Sequence, residues 1–247
     1  MISDACKRCK TSGWCEYDFE MDRVYPAEEE KCLITGGAKM QTLDMNQFMA
    51  DVHKNAVEHG WWDKVRSDGT LRSLLHCELS EAMEAHRSKE PLWWHKCPNH
   101  AGACESQAVH EDDSLHCEAC QIADRKPEGA AVELMDFVIR VLDWLGQMGD
   151  ERNRYFPEQE KLMNWAVEDY EREEKINAVK MELPDLIDTL HDEITFCKKM
   201  RNLKYLMRAC GLAMAWVLEK GLDPTDIMLK KHEYNKTRSY KHGGKEC

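Results

Sequence analysis

The sequence predicts an all-α protein, a helical bundle that carries small Cys-rich irregular segments. Three observations predict it. Apolar residues recur at helical spacing from Asp44 to Gly60, from Leu71 to Arg87 and again through the C-terminal half. Start and stop signals frame these runs: Asp44 and Gly60 around the first, Pro184 at the head of a later one, Gly221 and Asp223-Pro224 between the last two. The third observation is Ala130–Gly146, AAVELMDFVIRVLDWLG, apolar at most positions and free of proline and internal glycine, which predicts a helix buried nearly all round.

Composition sets outer limits. The 247 residues are enough for one large or two small domains with ample core. A net charge of −12 disfavours nucleic acid and anionic membrane as partners. No apolar run reaches the roughly 18 residues that span a bilayer, and no secretory signal is present. Twelve cysteines without such a signal predict metal ligation or free thiols in the reducing cytosol, of a cell or of a virus-infected host, rather than a disulfide framework.

In chain order, residues 1–42 form a Cys-rich extension in which Cys6, Cys9, Cys15 and Cys32 fit either a small zinc knot or unligated thiols. Residues 43–247 form the helical domain. Asp44 caps an amphipathic helix to about His59, followed by Trp61 and Trp62, which either close the core or wall a pocket. On Leu71–Arg87 the apolar stripe of Leu71, Leu74, Leu75, Leu79, Ala82 and Ala85 also carries Glu78 and Glu81, where leucine would be expected. Residues 88–128 form a Cys/His-rich insert. Cys97-x-x-His100 and Cys117-x-x-Cys120 are spaced like two halves of a structural zinc site, with Cys104, His110 and His116 as alternative ligands. In Ala130–Gly146, Glu133, Asp136, Arg140 and Asp143 fall on one stripe of a buried helix. Arg140 can compensate one of those carboxylates but not three, and bound divalent cations are the simplest remedy. Two helices presenting inward carboxylates build an oxygen-rich site for hard cations such as Mg2+, with Mn2+ as an alternative. No Glu-x-x-His occurs, which counts against a ferritin-type di-iron site.

Further on, residues 158–181 read as one long solvated helix with Leu162, Met163, Ala166, Val167 and Tyr170 facing inward. Pro184 starts another helix, and Lys204–Lys220 is a further one. Glu182-x-x-Asp185 straddles a helix start, where acidic residues suit the helix dipole, and reads as structural. The last helix begins at Asp223-Pro224 and runs into the basic segment KHEYNKTRSYKHGGK, whose lysines, arginine and glycines suit phosphate oxygens.

Glu78-x-x-Glu81 followed by Glu133-x-x-Asp136 resembles the signature of MazG-like, all-α nucleoside triphosphate pyrophosphohydrolases, relatives of the dimeric dUTPases. The contexts HGWWD, CELSEAMEAHR and ELMDFVIRVLD resemble the family too, as does the C-terminal basic segment. The resemblance covers about Leu43–Arg87, Gly129–Gly146 and Leu183–Lys245. It implies a bundle of the all-α NTP pyrophosphatase type, with Glu78, Glu81, Glu133 and Asp136 as Mg2+ ligands and Glu81 as a candidate general base. It also implies a tail closing over the triphosphate through Lys231, Asn235, Arg238, Tyr240 and Lys241, and an aromatic pocket wall from Trp61 or Trp62. Ser239 stands where relatives often carry proline. The implied reaction is attack at the α-phosphorus of a nucleoside triphosphate, giving the monophosphate and pyrophosphate. Arg140 and Asp143 would orient the ligands, and the later helices would complete the bundle where smaller relatives use a second subunit, although a homodimer stays open. The rival expectation is a non-catalytic, zinc-containing helical interaction or nucleic-acid-binding protein, motivated by the two cysteine clusters.

Overall fold

The computed structural model describes residues 41–96, 126–148, 159–174 and 177–244. Among these residues the chain is almost wholly helical. Helices α1 (Met45–Glu58) and α2 (Asp68–Arg87) are followed by strands β1 (Trp94–Lys96) and β2 (Lys126–Glu128). Then come α3 (Ala130–Gln147), α4 (Gln159–Glu174), a 3-10 turn at Ala178–Lys180, α5 (Leu183–Met200), α6 (Lys204–Glu219) and α7 (Pro224–Thr237). No helix among them is long and apolar enough to cross a membrane.

Local sequence explains the helix starts. The Asp44 carboxylate accepts from the amides of Asn46 and Gln47 at 3.0 and 3.1 Å, and Asp223 accepts from Thr225 at 2.9 Å ahead of α7. Ser67 caps α2 through the Thr70 amide at 3.1 Å, starting that helix three residues before its apolar stripe. Pro184 lies in the first turn of α5, where its missing N–H costs nothing.

Helix α3 is the centre, packed by α1, α2, α6 and α7, and every residue from Ala130 to Ile139 is buried. Its two neighbouring strands pair antiparallel, Trp94 with Glu128 and Lys96 with Lys126, so the ends of the insert meet beside the first turn of α3. Gly129 makes the junction: its φ is +107°, and a Cβ there would strike the Pro91 and Leu92 carbonyls. The Ala131 amide bonds the Leu92 carbonyl at 2.9 Å, fixing where α3 begins.

The long solvated helix expected over residues 158–181 is corrected. Helix α4 ends at Glu174, the 3-10 turn follows, and Leu162–Val167 are buried without a break because α4 lies between α6 and that turn. Its inward residues are those expected. Beneath them lies a buried ion cluster with no counterpart in the sequence reading. Arg208 Nε is 3.1 Å from both Glu193 oxygens, its Nη2 is 2.7 Å from Glu193 Oε1, and its Nη1 is 2.9 Å from Asp169. Lys204 adds a contact to Asp169 at 3.4 Å. The cluster ties α4, α5 and α6 together, well apart in sequence from the carboxylates of α2 and α3.

Helix α2 also packs on α5, where the imidazoles of His76 and His191 meet. Burial holds both below the usual histidine range, helped at His76 by His191 and Arg72 and opposed at His191 by Asp188 and Asp192.

Candidate metal and phosphate site

Helical geometry brings three carboxylates together. Glu78 shares the buried face of α2 with Leu71, Leu75, Leu79 and Ala82, and that face lies on α3. Glu133 and Asp136 lie one turn apart near the start of α3. Glu78, Glu133 and Asp136 are all buried, and each offers an oxygen within 4.8 Å of the others. The first half of the charged stripe of α3, Glu133 and Asp136, is thus covered, while Arg140 and Asp143 are partly buried.

Glu81 departs from expectation. It is exposed and stands outside this trio. Three residues along an α-helix leave a side chain roughly 60° round from its predecessor. That angle carries Glu81 past the edge of the covered face. Its charge is still felt, raising both Glu78 and Glu133.

Two cations enter the cluster. Arg140 Nε donates to Glu78 Oε1. Lys231, 2 % exposed, reaches in from α7 with Nζ 3.3 Å from Asp136 and 3.6 Å from Glu133. They do not satisfy it. Burial and the neighbouring Asp136 carboxylate push Glu78 up to about 8, against the pull of Arg140. Burial likewise pushes Glu133 to about 7 despite Lys231. Asp136 goes the other way: burial would raise it, but Lys231 and Arg140 together hold it below the usual carboxylate range. Lys231 is raised because Asp136, Glu133 and Glu78 outweigh its own burial. One oxygen, Glu133 Oε2, is buried with no hydrogen-bond partner. An all-oxygen, electron-rich, incompletely satisfied donor set fits a hard divalent cation and fits a soft one poorly.

These shifts have a measurable consequence. Glu78 and Glu133 hold protons in the folded chain well above 4.5, the value of an unperturbed glutamate. Stability that depends on those protons is lost as pH rises through about 7 and then about 8. His232 and His242, both depressed to about 4 chiefly by burial, act oppositely, but only below 6.5. In chelator the melting temperature should therefore fall as pH rises above about 6.5, and saturating Mg2+ should reverse the fall. A melting temperature that is flat or rising over that range would contradict these ionisations.

The basic segment splits into two groups. Lys231 lies on the carboxylates. Arg238 is partly buried, and its charge reaches Asp136; Asn235 keeps a buried Oδ1 without a hydrogen-bond partner. Tyr240 and Lys241 instead engage the turn after α1. The Tyr240 hydroxyl donates to Asp63, and Lys241 Nζ is 3.4 Å from the same carboxylate. His59 Nε2 donates to the Arg238 carbonyl at 2.9 Å, and the Lys241 amide donates to the His59 carbonyl at 3.0 Å. His242 meets Trp61 edge-to-face with ring centres 5.0 Å apart.

That turn depends on Gly60, whose φ is +76° and whose missing Cβ leaves room for the Tyr240 ring. Gly60→Ala should cost about 1–3 kcal/mol. It should also loosen the segment after Arg238, which faster proteolysis near the C-terminus would report. An unchanged cleavage rate would count against this packing.

The two tryptophans separate. Trp62 Nε1 donates to Asp143 at 2.8 Å, and the same carboxylate oxygen meets His53 Nδ1 at 2.8 Å. Asp143 therefore anchors Trp62 and His53 rather than the buried carboxylate trio. Trp61 belongs with the tail, and Arg66 faces both rings at 5.2 Å. The sequence reading missed Asp63, His59 and His53. His59 and Asp63 are the two ends of HGWWD and carried that signal, whereas His53 lies in no motif. Cys97, His100, Cys117 and Cys120, their alternatives Cys104, His110 and His116, and the N-terminal Cys6, Cys9, Cys15 and Cys32 lie outside the described residues.

No protein-family model, curated protein or solved structure matches the chain.

Proposed function

We propose that this protein is a Mg2+-dependent nucleoside triphosphate pyrophosphohydrolase of the MazG-like, all-α type, acting in a reducing cytosol. The observation that carries the proposal is the buried Glu78–Glu133–Asp136 trio faced by Lys231. Those three carboxylates would hold the divalent cation, with Mn2+ able to replace Mg2+. When bound, the cation supplies polarisation of the α-phosphate and a water of lowered pKa.

The chain's own groups do the rest. Arg140 fixes Glu78, so the carboxylate does not have to be ordered when substrate arrives. Lys231 and Arg238 bring positive charge to the edge of the trio, where a triphosphate adds negative charge. Asn235 has a free buried acceptor on the same helix as Lys231. Trp61, between His242 and Arg66, offers a flat apolar wall for a base. Glu81, exposed beside the trio, is free to accept a proton from water, the role of a general base. Tyr240 and Lys241 would reach phosphate only by leaving Asp63.

A pyrophosphate-release assay across the common ribo- and deoxynucleoside triphosphates, with Mg2+ or with chelator, tests the proposal. Release of pyrophosphate and monophosphate from one or more of them, abolished by chelator, is expected. Absence of release from every nucleotide would overturn it and favour the non-catalytic reading.

A further inference from the structure

Outside the carboxylate site, two imidazoles from different helices meet. His76 of α2 and His191 of α5 face each other with their Nδ1 atoms 2.7 Å apart, rings near parallel at 23° and centres 4.9 Å apart. Each imidazole is partly buried, so the pair keeps some access to water. Two neutral rings can share one proton there, Nδ1–H of one donating to Nδ1 of the other. The two Nδ1 atoms therefore meet at one place between α2 and α5.

We infer that His76 and His191 form a binding site for a borderline transition-metal ion of the Zn2+, Ni2+ or Cu2+ class, bridging α2 and α5. Imidazole nitrogens suit such ions and not Mg2+, so the site is chemically distinct from the oxygen trio. A shared ion needs both Nδ1 lone pairs. The ring that carried its proton on Nδ1 moves it to Nε2, so two neutral imidazoles bind without net proton release. Nitrogens about 2.1 Å from one ion must stand slightly farther apart than these do, a small outward shift for side chains that are not fully packed. Water completes the coordination. Asp188, one turn before His191, and Asp192 beside it add negative charge that favours a cation, while Arg72, one turn before His76, opposes it. Two residues after His76 on α2 comes Glu78, on the face toward α3, so the bridge would stiffen the helix that supplies a carboxylate to the trio.

The test titrates the full chain with Ni2+ directly, and the two histidine variants, which keep every thiol, show how much of the response comes from other sites. A saturable rise in melting temperature of several degrees is expected when Ni2+ reaches about 100 times its Kd. His76→Gln and His191→Gln should each weaken that response more than about tenfold while keeping the metal-free melting temperature and the response to Mg2+. His76→Ala and His191→Ala serve as second variants should glutamine disturb the packing. An unchanged Ni2+ response in the variants, or none in the parent, would overturn the inference.

Discussion

Asp136→Asn should lower Mg2+-dependent pyrophosphate release by at least about a thousandfold while the protein stays folded. Losing one metal-binding carboxylate removes several kcal/mol of transition-state stabilisation, which is a factor of that order in rate. The fold should survive because asparagine keeps the shape and because Lys231 retains Glu133 as a partner at 3.6 Å. Glu78→Gln should behave alike, although it also frees Arg140 from its contact with Glu78. Steady-state kinetics alongside circular dichroism would separate lost chemistry from lost structure. A variant that keeps activity within tenfold of the parent would remove Asp136 from the ligand set.

Lys231→Met should have two large and opposite effects. Without divalent cation the variant should lose about 3–5 kcal/mol of stability, since it leaves Glu133 and Asp136 buried without their ammonium partner. With Mg2+ present much of that loss should return, because the cation supplies the missing charge, and the Mg2+-induced rise in melting temperature should exceed that of the parent. Turnover should nonetheless fall, since the proposed function gives Lys231 a triphosphate oxygen to meet. Denaturant unfolding in chelator and in Mg2+ measures the first pair of effects. If Mg2+ stabilises parent and variant equally, the ammonium and the cation do not share these carboxylates.

What the sequence disclosed, and what it withheld, follows from the range of each interaction. Glu78, Glu133 and Asp136 were legible because they occupy positions where a buried helix should carry leucine. The misreading of Glu81 came from treating helical spacing as burial: the stripe told which side of α2 it shares with Glu78, but not where the cover provided by α3 ends. Lys231 was read as a phosphate ligand from the resemblance of the C-terminal basic segment to the family's tail. Its pairing with carboxylates almost a hundred residues earlier is a tertiary fact that no local pattern encodes. The same holds for Asp63, which binds Tyr240 and Lys241 across most of the chain's length, and for Arg208, a charge inside the otherwise uncharged stretch 205–218 of α6 whose partners lie on two other helices. The short β1–β2 ladder was invisible because three-residue strands carry too little alternation to register.

Mn2+ binding, followed by calorimetry on the parent and Asp136→Asn with and without a non-hydrolysable nucleoside triphosphate, tests the central claim most directly. The parent should bind Mn2+, more tightly when the nucleotide is present, and Asp136→Asn should lose both properties. Equal Mn2+ binding by parent and variant, or no binding by the parent under either condition, would contradict the assignment of these buried carboxylates to a metal that gathers a nucleotide's phosphates.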